Sequence, residues 1–159
     1  LVVINLLDTL GKAAKTEIMV EGMEGEAEED EYDEHVWLSL KNAKVLCAKI
    51  ADKLGVLDAA NAEDYKANLT AYTEKLDALD SDFQTLVDGA TVRTVVFGDR
   101  FPFRYFVDDY GLDYFAAFIG CSAETQQRLM TWPCSWTAIK PMCALPTLRM
   151  LVIIRAARA

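Results

Sequence analysis

The residues best suited to chemistry lie in one stretch, EGMEGEAEEDEYDEHVW, which runs from Glu21 to Trp37. Its carboxylates precede the only histidine of the chain, His35. Imidazole nitrogen and carboxylate oxygen are zinc ligands, and clustered carboxylates also raise the local concentration of divalent cations. A solvated acidic loop that merely ends in a histidine would look the same, so both interpretations stand at this point. The nine acidic residues are Glu21, Glu24, Glu26, Glu28, Glu29, Asp30, Glu31, Asp33 and Glu34.

Other kinds of chemistry have little support in the sequence. A nucleophilic enzyme needs an activated serine or cysteine, but there is one histidine and no GxSxG elbow. The eight glycines are scattered and form no phosphate-binding loop. The net charge of −9 argues against binding to nucleic acid or to anionic membrane surfaces. These features favour a binding protein over an enzyme.

Helical patterning begins just after the histidine. Ser39 is a suitable N-cap and Gly55 a suitable residue to end a helix. His35 is therefore expected in a loop just ahead of the helix. The residues before it, 21–34, are too charged to bury, which predicts a mobile loop. The apolar side of the helix is expected to consist of Ala43, Leu46, Cys47, Ile50 and Leu54.

A longer helix is predicted from Asn61 to Gly89, with Asn61 and Asp64 in a variant of the capping box. Its apolar residues step by four and three, which predicts a continuous stripe along about 40 Å of helix. We interpret the stripe as core packing. Its members are Tyr65, Leu69, Tyr72, Leu76, Leu79, Phe83 and Leu86.

Three segments have the pattern of strands. The run from Leu1 to Leu7 is apolar throughout, as expected of a strand buried on both faces. TVRTVVFG is predicted to be a strand that ends at Gly98, followed by a helix from about Phe103 to Gly111 and by the strand DYFAAFIG. The order strand, helix, strand predicts an α/β fold with a mostly parallel sheet. Asp99 then lies at a strand end, where it is either a ligand or a helix cap.

The composition changes abruptly after Glu124. Residues 125–159 carry five basic residues and no acidic residue, and three prolines interrupt them. This irregular tail is either a basic appendage or the product of a shifted reading frame, and we favour the second interpretation.

The chain also begins at Leu1 without a methionine or a targeting segment, so we expect it to be part of a longer protein.

Three segments together carry a resemblance to a known family. They are YDEHVWLSLKNAKVLCAKIADKL, NAEDYKANLTAYTEKLDALD and TVVFGDRFPFRYFVDDYGL. In this order and spacing the chain resembles, over about residues 1–124, the extracytoplasmic substrate-binding proteins of zinc and manganese ABC importers, the metal-binding lipoprotein family. The resemblance implies two parallel-sheet lobes that are joined by one long backbone helix and hold the metal between them.

The resemblance also assigns roles to residues. His35 takes the place of the second ligand histidine of the family, and Asp99 is the oxygen ligand available at the strand end. The acidic run 21–34 matches the charged loop that zinc-binding members carry beside the site. The other two ligands of the family would lie upstream of Leu1 and within the tail, so the site in this chain is expected to be incomplete.

The implied function is that of a monomeric receptor that captures zinc or manganese and delivers it to a membrane permease. It would act outside the cytoplasm, tethered as a lipoprotein or free in the periplasm. Asp99 favours harder cations, but the acidic loop favours zinc, and we give the loop more weight.

The alternative is a helical interaction module that uses the stripe 65–86 without any metal. The expected units are 1–60 (end of the first lobe), 61–89 (interlobe helix), 90–124 (start of the second lobe) and 125–159 (tail).

Overall fold

The computed structural model describes residues 2–20, 23 and 31–119, without the side chains of 98–100 and 117–119. Most of the acidic run and the whole of the predicted irregular tail lie outside the described residues. No helix in the described part of the chain has the length and apolarity that a bilayer span requires. The elements are α1 (Leu6–Leu10), α2 (Leu40–Leu57), α3 (Ala62–Asp88), β1 (Thr94–Phe101), α4 (Arg104–Asp109) and β2 (Asp113–Ile119), with short 3-10 turns at Gly11–Ala13, Val36–Leu38 and Ala59–Asn61.

The predicted strand from Leu1 to Leu7 is wrong, because residues 2–5 lie in neither a helix nor a strand and the short helix α1 begins at Leu6. Asn5 caps this helix, its side-chain oxygen accepting from the backbone N–H of Asp8 at 3.2 Å. The three leucines of the helix pack on a core cluster of Val36, Leu46 and Tyr105. Val3, which a buried strand would enclose, is 74% exposed. An apolar run this short fits a buried strand and a helix alike, so the sequence did not distinguish them.

Helix α2 begins as predicted and ends later than predicted. Ser39 is its N-cap, with the hydroxyl oxygen accepting from the backbone N–H of Asn42 at 3.0 Å. Gly55 does not end the helix, which continues to Leu57, and the N–H of Asp58 donates to the carbonyl of Leu54. A single glycine costs a helix about 1 kcal/mol but does not by itself break it.

Helix α3 has 27 residues and confirms the predicted long helix. The predicted stripe is only partly correct, because Tyr72, Leu79 and Leu86 are exposed. The buried positions of α3 are Leu76 and Val87. The predicted capping box is also wrong, since the Asn61 side chain makes no cap bond. Its amide donates instead to a carboxylate oxygen of Asp58 at 2.8 Å.

The βαβ unit is confirmed. Strands β1 and β2 pair in parallel as a two-stranded sheet within the described residues, and α4 connects them. The core on this sheet combines Phe97, Phe101, Val107 and Ala116 with Met23. Strand β1 does not end at Gly98, because its pairing resumes at Arg100 after a register shift and continues to Phe101. The sequence suggested an end there because glycine interrupts strands, but here it coincides with an irregularity inside the strand.

Gly111 gives a direct test of the turn between α4 and β2. Its φ of +60° lies in the left-handed region, which costs other residues about 1–2 kcal/mol. We therefore expect Gly111→Ala to lower the free energy of unfolding in urea by about that amount. Gly89 is the matched control, because its φ is −79° and an added Cβ would make only ordinary contact with the Thr85 carbonyl. A Gly89→Ala variant as unstable as Gly111→Ala would contradict this account.

Candidate metal centre

Three side chains with metal-binding atoms lie together at the end of the acidic run. Asp33, Glu34 and His35 each offer one such atom, and these atoms lie within 4.8 Å of one another. Asp33 and His35 are buried, with 2% and 9% exposure, whereas Glu34 is exposed. Among the described residues, this is the one such group of three or more histidine, cysteine or acidic side chains. An imidazole and two carboxylates within this distance have the chemistry and the spacing to hold a divalent cation.

Asp33 holds His35 in a fixed orientation. One carboxylate oxygen of Asp33 accepts a hydrogen bond from the backbone N–H of His35 at 2.7 Å. The same oxygen lies 3.0 Å from the ring nitrogen Nδ1 of His35. The ring also lies beside Trp37, with ring centroids 5.7 Å apart. A carboxylate bonded to one nitrogen of an imidazole fixes its tautomer and directs the other nitrogen, Nε2, toward a metal. The pair therefore has the arrangement of a metal-ligating histidine and its supporting carboxylate.

The burial of Asp33 corrects the prediction that residues 21–34 are too charged to bury. Burial raises the pKa of this carboxyl group, while the two hydrogen bonds from His35 lower it. Its backbone is also paired, since its N–H donates to the carbonyl of Lys15 at 2.9 Å and its carbonyl accepts from the Tyr105 hydroxyl at 2.9 Å. A carboxylate can be buried when its polar atoms find such partners.

Backbone pairing joins the segment before the acidic run to the last residues of the run. Thr16 and Tyr32 form an antiparallel bridge, and the N–H of Glu17 donates to the carbonyl of Glu31 at 2.9 Å. Burial and the nearby charges of Glu31 and Asp33 raise the pKa of Glu17. Sequence reasoning missed Glu17, because it lies before the acidic run and only this pairing brings it beside the site.

Hydrogen bonds also connect the site to helix α4. The Ser39 hydroxyl donates to a carboxylate oxygen of Asp109 at 2.5 Å while it caps α2. The ammonium group of Lys41 donates to the Asp109 carbonyl at 3.1 Å. Ser39 is 1% exposed, so the two bonds of its hydroxyl are shielded from water, whereas the Lys41 bond is exposed. They fix the start of α2, and with it the turn that carries His35, against α4.

Ser39→Ala removes both bonds of this hydroxyl. We expect the free energy of unfolding in urea to fall by about 1–2 kcal/mol, because the α2 N-terminus loses its cap and Asp109 loses a partner. Ser81→Ala is the control, since Ser81 lies on the exposed side of α3 and alanine favours helices. Equal unfolding midpoints for Ser39→Ala and the parent chain would contradict the assigned cap.

The other predicted site residues are only partly placed. Asp99 lies in β1, and its side chain is among those not described, so a pairing of His35 with Asp99 stays a prediction. Glu31 is described and exposed. The remaining members of the predicted acidic loop lie outside the described residues: Glu21, Glu24, Glu26, Glu28, Glu29 and Asp30.

Comparison with known proteins gives the family. A family model described as the periplasmic component A of the zinc-uptake complex, ZnuA, matches residues 3–131. The chain belongs to the ZnuA family. The resemblance stated from the sequence is thereby confirmed, and the family model describes an uptake component and not an enzyme, in agreement with the sequence analysis.

Individual relatives agree with the ZnuA assignment. The metal ABC transporter substrate-binding lipoprotein ScbA of Streptococcus cristatus is 45% identical over 60 residues, which are 38% of this chain and 19% of the relative. The manganese ABC transporter substrate-binding lipoprotein PsaA of Streptococcus anginosus is 34% identical over 91 residues, 57% of this chain and 29% of the relative. The chain thus spans less than a third of the length of these relatives.

A solved structure shows the same architecture. The Zn(II)-bound crystal structure of an AdcAII variant from Streptococcus pneumoniae superimposes with a TM-score of 0.57 at 27% identity. The match covers 77% of this chain and 48% of that protein. It confirms the predicted α/β fold of the metal-receptor type.

Proposed function

We propose that this chain is part of the substrate-binding component of a metal ABC importer and that its cargo is zinc. The observation that carries the proposal is the buried Asp33–His35 pair, in which a carboxylate orients the only imidazole of the chain. Membership of the ZnuA family supports the receptor role. The whole protein would act outside the cytoplasm and pass its metal to a membrane permease, and relatives named as metal ABC transporter substrate-binding lipoproteins support this role.

In this proposal His35 is the nitrogen ligand and Asp99 supplies an oxygen ligand from β1. Glu34, exposed beside His35, belongs to the acidic run 21–34, which gathers cations from solution. Helix α3 would be the rigid connection between two lobes, with residues 1–60 in one lobe and 90–124 in the other. Its length of 27 residues supports this role, because most helices in compact domains have three or four turns.

Zinc is favoured over manganese by the chemistry of the site. Imidazole is a good ligand for zinc, whereas manganese prefers a set of oxygen ligands. For a given set of nitrogen and oxygen ligands, affinity also rises from manganese to zinc. The zinc-bound AdcAII structure supports the same choice, while the manganese transporter name of PsaA supports the alternative.

Calorimetric titration of the chain with zinc chloride and with manganese chloride tests the proposal. We expect zinc to bind with at least about tenfold higher affinity than manganese, following the order for mixed nitrogen and oxygen ligands. Magnesium chloride is the control for nonspecific attraction to the acidic run. Tighter binding of manganese would overturn the choice of metal. Equal heats for all three cations would overturn the metal site itself.

A further inference from the structure

The hydroxyl group of Tyr105 contacts the backbone before the acidic run and the backbone near the end of the run. It accepts from the N–H of Lys15 at 3.0 Å and donates to the carbonyl of Asp33 at 2.9 Å. Lys15 lies before the run and Asp33 is its second-last residue, so one oxygen atom joins the segment before the run to the end of the run. These bonds add to the direct backbone bond from Asp33 to Lys15.

The same contacts lead from Tyr105 to the imidazole in two steps. The hydroxyl fixes the main chain of Asp33, and the Asp33 carboxylate fixes Nδ1 and the backbone N–H of His35. Each group along this path is buried, with Tyr105 at 1% exposure. Buried hydrogen bonds of this kind are not shared with water, so a displacement at one end is transmitted to the other.

Tyr105 also belongs to the segment that carries the other candidate ligand. Tyr105 is the second residue of α4, and α4 is the next element after β1, the strand that contains Asp99. Its ring is held in the core against Val36 and Leu46, so the hydroxyl is presented from a rigid base. The side chain thus connects the turn of His35 to the β1–α4 segment.

We propose that Tyr105 is a positioning residue for metal binding: through Asp33, its hydroxyl sets the place of the His35 imidazole relative to the β1–α4 segment. This inference rests on the proposed function. It adds a residue that makes no contact with the metal and yet determines the geometry of the site. Outer partners of metal ligands typically change affinity by about 10–100-fold when they are removed.

The test compares Tyr105→Phe with Tyr110→Phe. Each change removes one buried hydroxyl, but that of Tyr110 donates to Asp80 of α3 at 2.8 Å and lies outside the path to His35. Both variants are expected to unfold at lower urea concentration than the parent. Only Tyr105→Phe is expected to weaken binding of zinc chloride, by about tenfold. Equal zinc affinity in Tyr105→Phe and the parent, or equal losses in both variants, would overturn the proposal.

Two measurements without metal separate this inference from the proposed function. Because the chain has a single histidine, its ring nitrogen signals in NMR belong to His35 without further assignment. We expect the tautomer populations to change in Tyr105→Phe and to stay as in the parent in Tyr110→Phe. In the parent chain, the Lys15 amide should exchange slowly with solvent, since it donates to a buried hydroxyl.

A parent chain that fails to bind zinc would refute the proposed function. The NMR signals of the His35 ring would then, by themselves, decide whether Tyr105 positions that ring. Unchanged His35 signals in Tyr105→Phe would overturn that role. If Tyr105→Phe does not fold, hydrogen exchange in the parent chain still tests the role of Tyr105. A Lys15 amide that exchanges as fast as exposed loop amides would contradict the hydrogen bond from Lys15 to the Tyr105 hydroxyl.

Discussion

Replacing His35 with alanine is expected to weaken zinc binding by more than about 100-fold, since even the outer partners of a ligand change affinity by about 10–100-fold. No second histidine is present to take its place. His35 is 9% exposed and its ring packs beside Trp37, so the change also leaves a small cavity near the start of α2. Isothermal titration with zinc chloride measures the affinity, and circular dichroism shows whether the helices are retained.

Glu31→Gln is the control for His35→Ala. Glu31 is an exposed member of the acidic run, and glutamine removes its charge while the backbone bond to Glu17 remains. A small loss of affinity in this variant would reflect weaker attraction of cations by the run. If both variants lost affinity equally, zinc would be held by the general acidity of the run and His35 would not be a ligand.

The helical part of the fold could largely be read from the sequence. Ser39 and the long repeat of apolar residues after Asn61 are local signals, and the structure places α2 and α3 where these signals predict them. The order of strand, helix and strand also identified the parallel pair β1 and β2. The two helices depend on neighbouring residues in the chain, which is why apolar periodicity and the Ser39 cap are sufficient to find them.

The features that the sequence did not predict depend on contacts between distant segments. Asp33 appeared too charged to bury because its partners, Lys15 and Tyr105, lie 18 residues before it and 72 residues after it. Glu17 was missed for the same reason. Glu17 carries no local pattern, and only the antiparallel pairing of Thr16 with Tyr32 brings it beside His35. The sequence could single out His35 as a candidate ligand, but it could not show that Asp33 is buried against it or that Tyr105 holds Asp33.

The exposed apolar residues of α3 show a related limit. Tyr72, Leu79 and Leu86 were expected in the core, yet each is more than 40% exposed. A stripe that steps by four and three identifies one side of a helix but does not identify what covers it. The prediction was correct for Leu76, which is buried, with 7% exposure.

Asp33→Ala is expected to reduce zinc affinity by about 10–100-fold, although in the proposed site Asp33 supports the ligand and does not bind the metal. The change removes the oxygen that lies 3.0 Å from Nδ1 and accepts from the His35 N–H at 2.7 Å. The ring then loses its fixed tautomer. The buried N–H loses its partner, which should also lower the free energy of unfolding by about 1–3 kcal/mol. Zinc calorimetry and urea unfolding measure the two effects.

Two further variants separate orientation from charge. Asp33→Asn removes the negative charge but keeps an oxygen that can accept from His35, so we expect an affinity between those of the parent and Asp33→Ala. Glu34→Gln removes a negative charge from the exposed residue beside Asp33. Its effect is expected to be smaller than that of Asp33→Ala, because the nearer carboxylate oxygen of Glu34 lies 4.0 Å from Nδ1 of His35. If Asp33→Asn were as weak as Asp33→Ala, the charge of Asp33, and not the geometry it imposes, would determine the affinity. If Glu34→Gln were the weakest of the three, Glu34 would be the carboxylate that binds the metal beside His35.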